Sequence, residues 1–240
     1  MKIDIHCHLL PGLDDGPAKR STSLAMARAA VADGREVVVA TPHYWPDHWT
    51  PSPDRVRETL RELQAALDEA VVPLRLLAGH EVRLAPQVPD WIGEGKVLTL
   101  ADAGRLVLLE LPPQEWPIFT EHVCYRLRQL GITPVIAHPE RNDLVVRDLR
   151  RLSALEEAGC LLQVNAGSLT GRAGRAVQRT AKRLCRQGRV RFVASDGHDL
   201  GRRPMELSLA YRMAQRLGGQ GWESAGFEVI GGTARTGPPG

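Results

Sequence analysis

The sequence predicts an α/β fold built on parallel strands, and three observations lead to this. Short apolar segments alternate with segments of helical periodicity along most of the 240 residues. The apolar segments are continuous rather than alternating, which is typical of parallel strands covered on both faces. Seven such strand–helix units suit either a barrel or a doubly wound sheet.

The apolar segments are the predicted strands. They cover residues 2–7, 36–40, 74–79, 105–111, 133–137, 160–164 and 190–194. Apolar residues at helical spacing predict the helices between them. These cover residues 21–32, 53–70, 119–130, 149–158, 173–187 and 205–217. Glycine follows several of these helices, as at Gly34, Gly131 and Gly188, where it favours a helix end.

Composition and charge exclude several classes of protein. The formal charge of +3, from 31 basic and 28 acidic residues, is too balanced to indicate a nucleic-acid or membrane-surface partner. Four cysteines without a C-x-x-C pair argue against a disulfide scaffold or a cysteine-rich zinc module. No apolar stretch reaches membrane-spanning length and the start lacks a signal-peptide core, so we expect a cytoplasmic protein without membrane insertion. We predict one domain over residues 1–230 and a disordered tail over residues 231–240.

Histidines and carboxylates follow the predicted strands at the point where each strand ends. His6 and His8 flank Cys7 at the end of the first strand and share one face of it. Asp14 and Asp15 lie in the loop that follows the first strand, and similar side chains close the later strands or lie just beyond them: His43, Glu81, Glu110, His138, Asp196 and His198. The carboxyl ends of parallel strands form one edge of the fold. Because so many charged groups together are costly without cations, this edge predicts a metal site.

The ligand types indicate the metals. Imidazole and carboxylate without thiolate suit Mn, Zn or Fe, and the sequence does not choose among them. Up to nine ligands exceed the need of one ion, so two or three divalent ions are predicted. Such a site can generate hydroxide from water near neutral pH and bind both the attacking and the leaving oxygen.

The motifs, taken together, resemble a known superfamily. In chain order they are D-I-H-C-H-L-L-P-G-L-D-D-G, A-T-P-H, G-H-E-V-R, L-L-E-L-P, I-A-H-P-E-R, V-N-A-G-S-L-T-G and A-S-D-G-H-D. Over about residues 2–215 they resemble the PHP (polymerase and histidinol phosphatase) superfamily, and within it the metal-dependent tyrosine phosphatases of bacterial capsule and exopolysaccharide operons. The resemblance implies a distorted (β/α)7 barrel, TIM-like in kind, with three metal ions, usually manganese.

The resemblance also implies which residues hold each ion. One ion would be held by His6, His8, Glu81 and Asp196. Glu81 would bridge to a second ion, held also by Glu110 and His138. The third would be held by Asp15, His43 and His198. Asp15 matches the second aspartate of the family's D-D-G, so Asp14 is the weaker candidate.

Two phosphate-binding arginines are implied by the same resemblance. They match Arg141 and Arg203, with Arg202 as a substitute for the latter. A guanidinium fork suits a phosphate dianion. The sequence departs from the family at Tyr44, where many relatives carry a second histidine. With Trp45 and Trp49 it makes an aromatic loop, for which stacking on a phenol ring and packing as a lid are both open, packing being favoured.

The resemblance implies hydrolysis of phosphomonoesters by metal-activated hydroxide, with protein phosphotyrosine as the substrate and the tail of a bacterial tyrosine kinase as the partner. A small-molecule phosphatase such as histidinol phosphatase is the first alternative, and a non-catalytic phosphopeptide-binding module is the second. An amidohydrolase is disfavoured because its metal-bridging lysine finds no match.

Several other signals are discounted. The C-x5-R spacing from Cys185 to Arg191 occurs in thiolate phosphatases, but Cys185 falls late in a helix and is expected to pack in the core. His48, His80 and His122 are not expected to bind metal. Ser168 is expected to cap a helix, and Asp4 to support the ligands from behind.

Overall fold

The structure is a computed structural model that describes residues 2–218, and within this range the chain forms nine strands. They are β1 (Ile3–Cys7), β2 (Val37–Ala40), β3 (His43–Tyr44), β4 (Arg75–Ala78), β5 (Glu81–Arg83), β6 (Leu106–Glu110), β7 (Thr133–Ala137), β8 (Leu161–Asn165) and β9 (Val190–Ala194). The short strands β3 and β5 were not predicted. Each follows its predecessor after a break of two residues, and Pro42 in the first break has no N–H to donate to a ladder.

The strands are arranged as a distorted parallel barrel. One sheet has the order β1-β2-β4 and the other the order β3-β5-β6-β7-β8-β9, with every pair parallel. An isolated parallel bridge between Cys7 and Gly197 joins β1 to the residues after β9. The Asp196 N–H also donates to the His6 carbonyl over 2.9 Å. Counting β2 with β3 and β4 with β5 gives the seven predicted strand positions, so the predicted fold class is confirmed.

Helices surround the strands. They are α1 (Arg20–Ala32), α2 (Pro53–Glu69), α3 (Val88–Gly93), α4 (Thr120–Gln129), α5 (Asp143–Arg147), α6 (Ser153–Glu157), α7 (Ala166–Thr170), α8 (Arg175–Arg186) and α9 (Ser208–Arg216). The three short helices α3, α5 and α7 were not predicted. The helix predicted over residues 149–158 is divided into a 3-10 turn, Leu149–Leu152, and α6.

Helix α2 shows how local sequence and burial combine. The Ser52 hydroxyl accepts from the Arg55 N–H, and proline occupies the first helical turn. The apolar side chains at Val56, Leu63 and Leu67 are buried in one apolar cluster with strand β2. Burial of each contributes roughly 1.5–3 kcal/mol, which fixes the side of the helix that faces the sheet.

The inside of the barrel is filled by alternate strand residues, among them Ile3, Ile5, Leu108 and Phe192. His6 follows Ile5 directly, yet it reaches the functional site and not the outer helical layer. The register of β1 against β2 shifts between Asp4 and Cys7. A local irregularity of this kind changes the face of the sheet on which the next side chains lie. This accounts for the inward positions of both Ile5 and His6, although the two residues are adjacent.

No helix within residues 2–218 is long and apolar enough to cross a membrane. The predicted tail over residues 231–240 lies outside the described residues. The predicted single domain, residues 1–230, also extends beyond them.

Candidate metal centre

Nine side chains proposed as ligands lie at one end of the barrel. They come from strand ends and adjoining loops: His6 in β1, His8 and Asp15 after it, His43 in β3, Glu81 in β5, Glu110 in β6, His138 after β7, and Asp196 and His198 after β9. His138 and Asp196 have positive φ angles of 31° and 53°. Non-glycine residues adopt this conformation rarely, and it often marks functional sites.

The carboxylate of Glu81 lies at the middle of the group and is fully buried. Its Oε2 lies 3.2 Å from Nε2 of both His6 and His8. The same oxygen is 3.1 Å from Nδ1 of His43, and Oε1 is 2.9 Å from Nε2 of His138. One carboxylate is therefore shared by four imidazoles, two from strands β1 and β3 and two from the residues that follow β1 and β7.

Asp15 and Asp196 extend the group on either side of this centre. Asp15 Oδ1 lies 3.5 Å from His43 Nε2 and 3.3 Å from His198 Nε2. Asp196 Oδ1 lies 3.4 Å from His6 Nε2 and 3.5 Å from His198 Nδ1. Both carboxylates therefore reach imidazoles contributed by distant strands.

Three sets of these residues have the spacing of metal sites, with one ligand atom per residue and all such atoms within 4.8 Å of one another. The sets are His8, Asp15, His43 and His198; His6, Glu81, His138 and Asp196; and His43, Glu81 and Glu110. They use the same nine residues that the sequence singled out. The division differs from the one that the resemblance implies, because His8 joins the set of Asp15 and His138 joins the set of His6. The ligand assignment itself stays a prediction.

Buried atoms that make no hydrogen bond indicate that these residues fit metal ions. Glu81 Oε2, His43 Nδ1 and His198 Nε2 are all buried and lie 3.1–3.3 Å from other candidate ligand atoms, yet none makes a hydrogen bond within residues 2–218. Buried polar atoms without partners are costly. Imidazole nitrogens and carboxylate oxygens converging without thiolate match the ligand preferences of Mn, Fe and Zn.

The candidate histidines differ in protonation state. Burial lowers the pKa of His43 to about 4 and lowers that of His198, so both rings are neutral. Burial opposes ionisation of Glu81, but His6 and His43 hold its pKa well below the ordinary value. Burial and the charge on Glu81 raise the pKa of Glu110. Burial disfavours the charged forms of His6, His8 and His138, but neighbouring carboxylates raise the pKa of all three rings, that of His138 to about 9, so a metal ion would displace protons from them.

Asp14 has a supporting role that the sequence did not assign. Its Oδ2 lies 2.6 Å from His8 Nδ1 and accepts from the His43 N–H over 2.9 Å, while its Oδ1 accepts from the Gly16 N–H. A carboxylate can only accept, so it keeps a proton of His8 on Nδ1 and makes Nε2 the nitrogen that can bind a metal. The preference for Asp15 over Asp14 as a ligand agrees with this arrangement.

Gln163 and Asn165 were also missed as site residues. Gln163 Oε1 lies 3.0 Å from His6 Nδ1, and its amide donates to Asn165 Oδ1 over 2.8 Å. Asn165 in turn donates to Asp196 Oδ2 over 2.6 Å. The signal in the sequence was the pair of amide residues two positions apart in the otherwise apolar strand β8.

Arg141 and Arg203 lie beside the nine residues. Arg141 pairs with Asp196 and Arg203 with Asp15, each at 2.8 Å. Both line a cavity of about 280 Å³ together with Asp15, Glu81 and other candidate ligands. Both also line an adjoining cavity of about 460 Å³. Arg202 lines only the second cavity, which favours Arg203 as the second phosphate-binding residue.

The match to known proteins agrees with this geometry. A family model described as capsular polysaccharide synthesis, CpsB/CapC, matches residues 2–225. The chain belongs to the CpsB/CapC family. It is 37% identical over 198 residues to tyrosine-protein phosphatase YwqE of Bacillus subtilis, covering 82% of this chain and 78% of the relative. It is 32% identical over 205 residues to the putative tyrosine-protein phosphatase CapC of Staphylococcus aureus, covering 85% and 80% respectively.

Solved structures support the same relationship. A crystal structure from work on YwqE and on CpsB of Streptococcus pneumoniae, described as metal-dependent tyrosine phosphatases, has a TM-score of 0.87 and 33% identity. The match covers 95% of this chain and 90% of the chain in that crystal structure. A histidinol phosphate phosphatase from Lactococcus lactis has a TM-score of 0.52 at 16% identity, covering 90% of this chain and 92% of its own, and shows the fold alone.

The discounted residues of this CpsB/CapC chain lie mostly where they were expected. Cys185 is buried, and burial raises the pKa of its thiol to about 12, so it is no thiolate nucleophile. His80 is buried and accepts from the Leu98 N–H, while His48 and His122 are exposed. The expectation that Ser168 caps a helix is wrong, because it lies inside α7 and is buried.

Asp4 supports the site through the backbone. Its Oδ1 accepts from the His6 N–H over 3.3 Å and from the Ser195 N–H over 3.1 Å. It therefore ties β1 to the turn after β9, on which Asp196 lies. The side chain is fully buried, as a structural role of this kind requires.

Proposed function

We propose that this CpsB/CapC chain hydrolyses phosphotyrosine in proteins with the help of two or three divalent metal ions. The observation that carries the proposal is the buried carboxylate of Glu81 among four imidazoles, next to a cavity lined by Arg141 and Arg203. The tyrosine-phosphatase names of the relatives support phosphotyrosine as the substrate.

The chemistry divides between the ions and the arginines. When bound, the ions supply hydroxide at neutral pH and neutralise charge on the phosphate. Arg141 and Arg203 are placed to bind the phosphate oxygens, since guanidinium groups match a phosphate with paired N–H donors. Both arginines pair with carboxylates of the site, Asp196 and Asp15, and those contacts hold them at the cavity wall.

Manganese is the ion we propose, with iron and zinc as the alternatives that the same ligands allow. The physiological partner we propose is the phosphorylated tail of a bacterial tyrosine kinase that controls polysaccharide export, in the cytoplasm. Membership of a family for capsular polysaccharide synthesis supports this setting. No covalent phosphoenzyme is needed, and all four cysteines are buried.

The test compares two substrates. Chelated enzyme is assayed on a phosphotyrosine peptide and on histidinol phosphate, with and without added Mn²⁺. We expect turnover of the peptide only, restored by the metal. Glu81→Gln should abolish this turnover together with metal retention measured by mass spectrometry. Glu94→Gln serves as the matched control because Glu94 is half exposed and pairs only with Lys96 among the described contacts.

Each other outcome has a definite meaning. Turnover of histidinol phosphate alone would keep the metal chemistry and replace the substrate. Binding of the phosphopeptide without turnover at any metal concentration would identify a binding module instead. Full activity of Glu81→Gln would contradict the central place given to this carboxylate.

A further inference from the structure

The aromatic loop beside the candidate metal centre has a shape that suits one part of a substrate. We propose that Trp45 and Trp49 form an aryl subsite, which binds the ring of an aryl phosphate while the phosphate contacts the metal centre and the arginines. This proposal rests on the proposed function and names the residues that select aromatic over aliphatic phosphate esters.

The loop is a tight hairpin held by backbone hydrogen bonds. The Trp45 N–H donates to the Trp49 carbonyl over 2.6 Å, and the Trp49 N–H donates to the Trp45 carbonyl over 2.9 Å. The pair forms an antiparallel bridge. Asp47 at the tip has a φ of 71°, which lets the chain reverse within five residues. Both indoles therefore start from a fixed backbone.

The two rings are held by contacts on the side of the metal centre. Trp49 stacks on the ring of His43, with centroids 5.6 Å apart and planes 17° apart. Trp45 meets Trp49 edge to face at 6.0 Å and 60°. The guanidinium of Arg83 lies 4.3 Å from the Trp45 ring centre and is anchored 3.0 Å from Glu110. The indoles are thus oriented before any ligand arrives.

Both rings reach the cavity beside the metal centre. Trp45 and Trp49 line the cavity of about 280 Å³ together with Arg141 and Arg203. Both are half-buried, and neither belongs to the apolar clusters formed by the described residues. Tyr44 does pack against the core, 5.3 Å edge to face from Trp91. Packing therefore describes Tyr44, whereas the two tryptophans give the cavity an aromatic wall.

A ring placed on such a wall gains through its preferred offset or edge-to-face contacts. A phosphate held by the two arginines leaves the ester side of the substrate near this wall, because all four side chains line one small cavity. An alkyl ester offers no ring to stack. The wall should therefore distinguish aryl from alkyl ligands and should not affect the binding of phosphate itself.

The experiment uses two inhibitors that need no chemistry, benzylphosphonate and inorganic phosphate. Their Ki values are measured against phosphotyrosine peptide for wild type, Trp45→Leu, Trp49→Leu and Trp49→Phe, all loaded with Mn²⁺. We expect the Leu variants to raise the Ki of benzylphosphonate by roughly three- to tenfold and that of phosphate by less than about twofold. Trp49→Phe should retain most of the preference.

A control and a metal measurement separate the alternatives. Trp91→Leu removes a half-buried tryptophan that lines neither cavity and should change neither Ki. Equal weakening of both inhibitors, or loss of bound manganese in Trp49→Leu, would mean that the two tryptophans act only through His43. Unchanged Ki values in the Leu variants would mean that the tryptophans do not bind the ring of the inhibitor. If wild type does not hydrolyse the peptide, dissociation constants of the two inhibitors are measured by calorimetry instead; tighter binding of benzylphosphonate that is lost in the Leu variants would overturn the proposed function and leave the aryl subsite standing.

Discussion

Asp14→Asn tests whether Asp14 prepares the metal centre without binding metal. The substitution preserves shape and keeps an oxygen for the Gly16 N–H. In the wild-type protein, Oδ2 of Asp14 faces His8 Nδ1 at 2.6 Å and the His43 N–H at 2.9 Å. In Asp14→Asn an amide N–H takes the place of this oxygen. His8 can then accept only by moving its proton to Nε2, the nitrogen that faces Glu81.

The expected loss of metal affinity follows from the hydrogen bond that is lost. The Asp14 carboxylate is almost fully buried, and despite that burial the charge on His8 lowers its pKa, so the bond to His8 is charge-assisted. Hydrogen bonds to charged groups contribute about 1.5–3 kcal/mol. This corresponds to a loss of roughly 10- to 150-fold in metal affinity, similar to the effect of removing partners of metal-bound histidines.

The assay is a Mn²⁺ titration of chelated enzyme, followed by turnover of phosphotyrosine peptide. Asp14→Asn should shift the activation curve to higher metal concentration and approach wild-type turnover at saturation. Asp15→Asn should lower turnover at saturation as well, because it removes a proposed ligand. Asp54→Asn, at a side chain that is 96% exposed, should match wild type. An unshifted curve for Asp14→Asn would refute the tautomer argument.

Three further predictions follow from the same structure. Arg141→Ala should lower kcat/KM for the peptide by about 100-fold through loss of a charged phosphate contact, whereas Arg202→Ala should change it by less than about threefold. Iodoacetamide at pH 8 should leave activity intact, because burial raises the pKa of Cys185 to about 12; rapid inactivation would contradict this. Burial lowers the pKa of His80 to about 3, so its neutral form is favoured in the folded state and stability is lost as the pH falls below about 6.5. In urea unfolding of the metal-free protein, the free energy of unfolding of wild type should fall by about 2 kcal/mol more than that of His80→Gln between pH 7 and pH 5.

The sequence by itself determined the strand positions and the types of ligand. Continuous apolar segments such as Thr133–Ala137 recur in the structure with the predicted bounds, because a buried parallel strand needs apolar residues on both faces. Charged side chains placed just after such segments had to meet at one edge. Short elements such as β3 and α3 escaped prediction, since two to six residues carry too little periodicity to be recognised.

Tertiary structure decided how those residues divide the work. Asp14 and Asp15 are adjacent and chemically identical in the sequence, yet one accepts from His8 and a backbone N–H while the other faces His43 and His198. The grouping of ligands, the amides of β8 and the cavity shared by Trp49 and Arg203 depend on contacts between residues far apart in the chain. Sequence patterns record which face a side chain takes, but distances across a closed barrel arise only when all of its strands pack together.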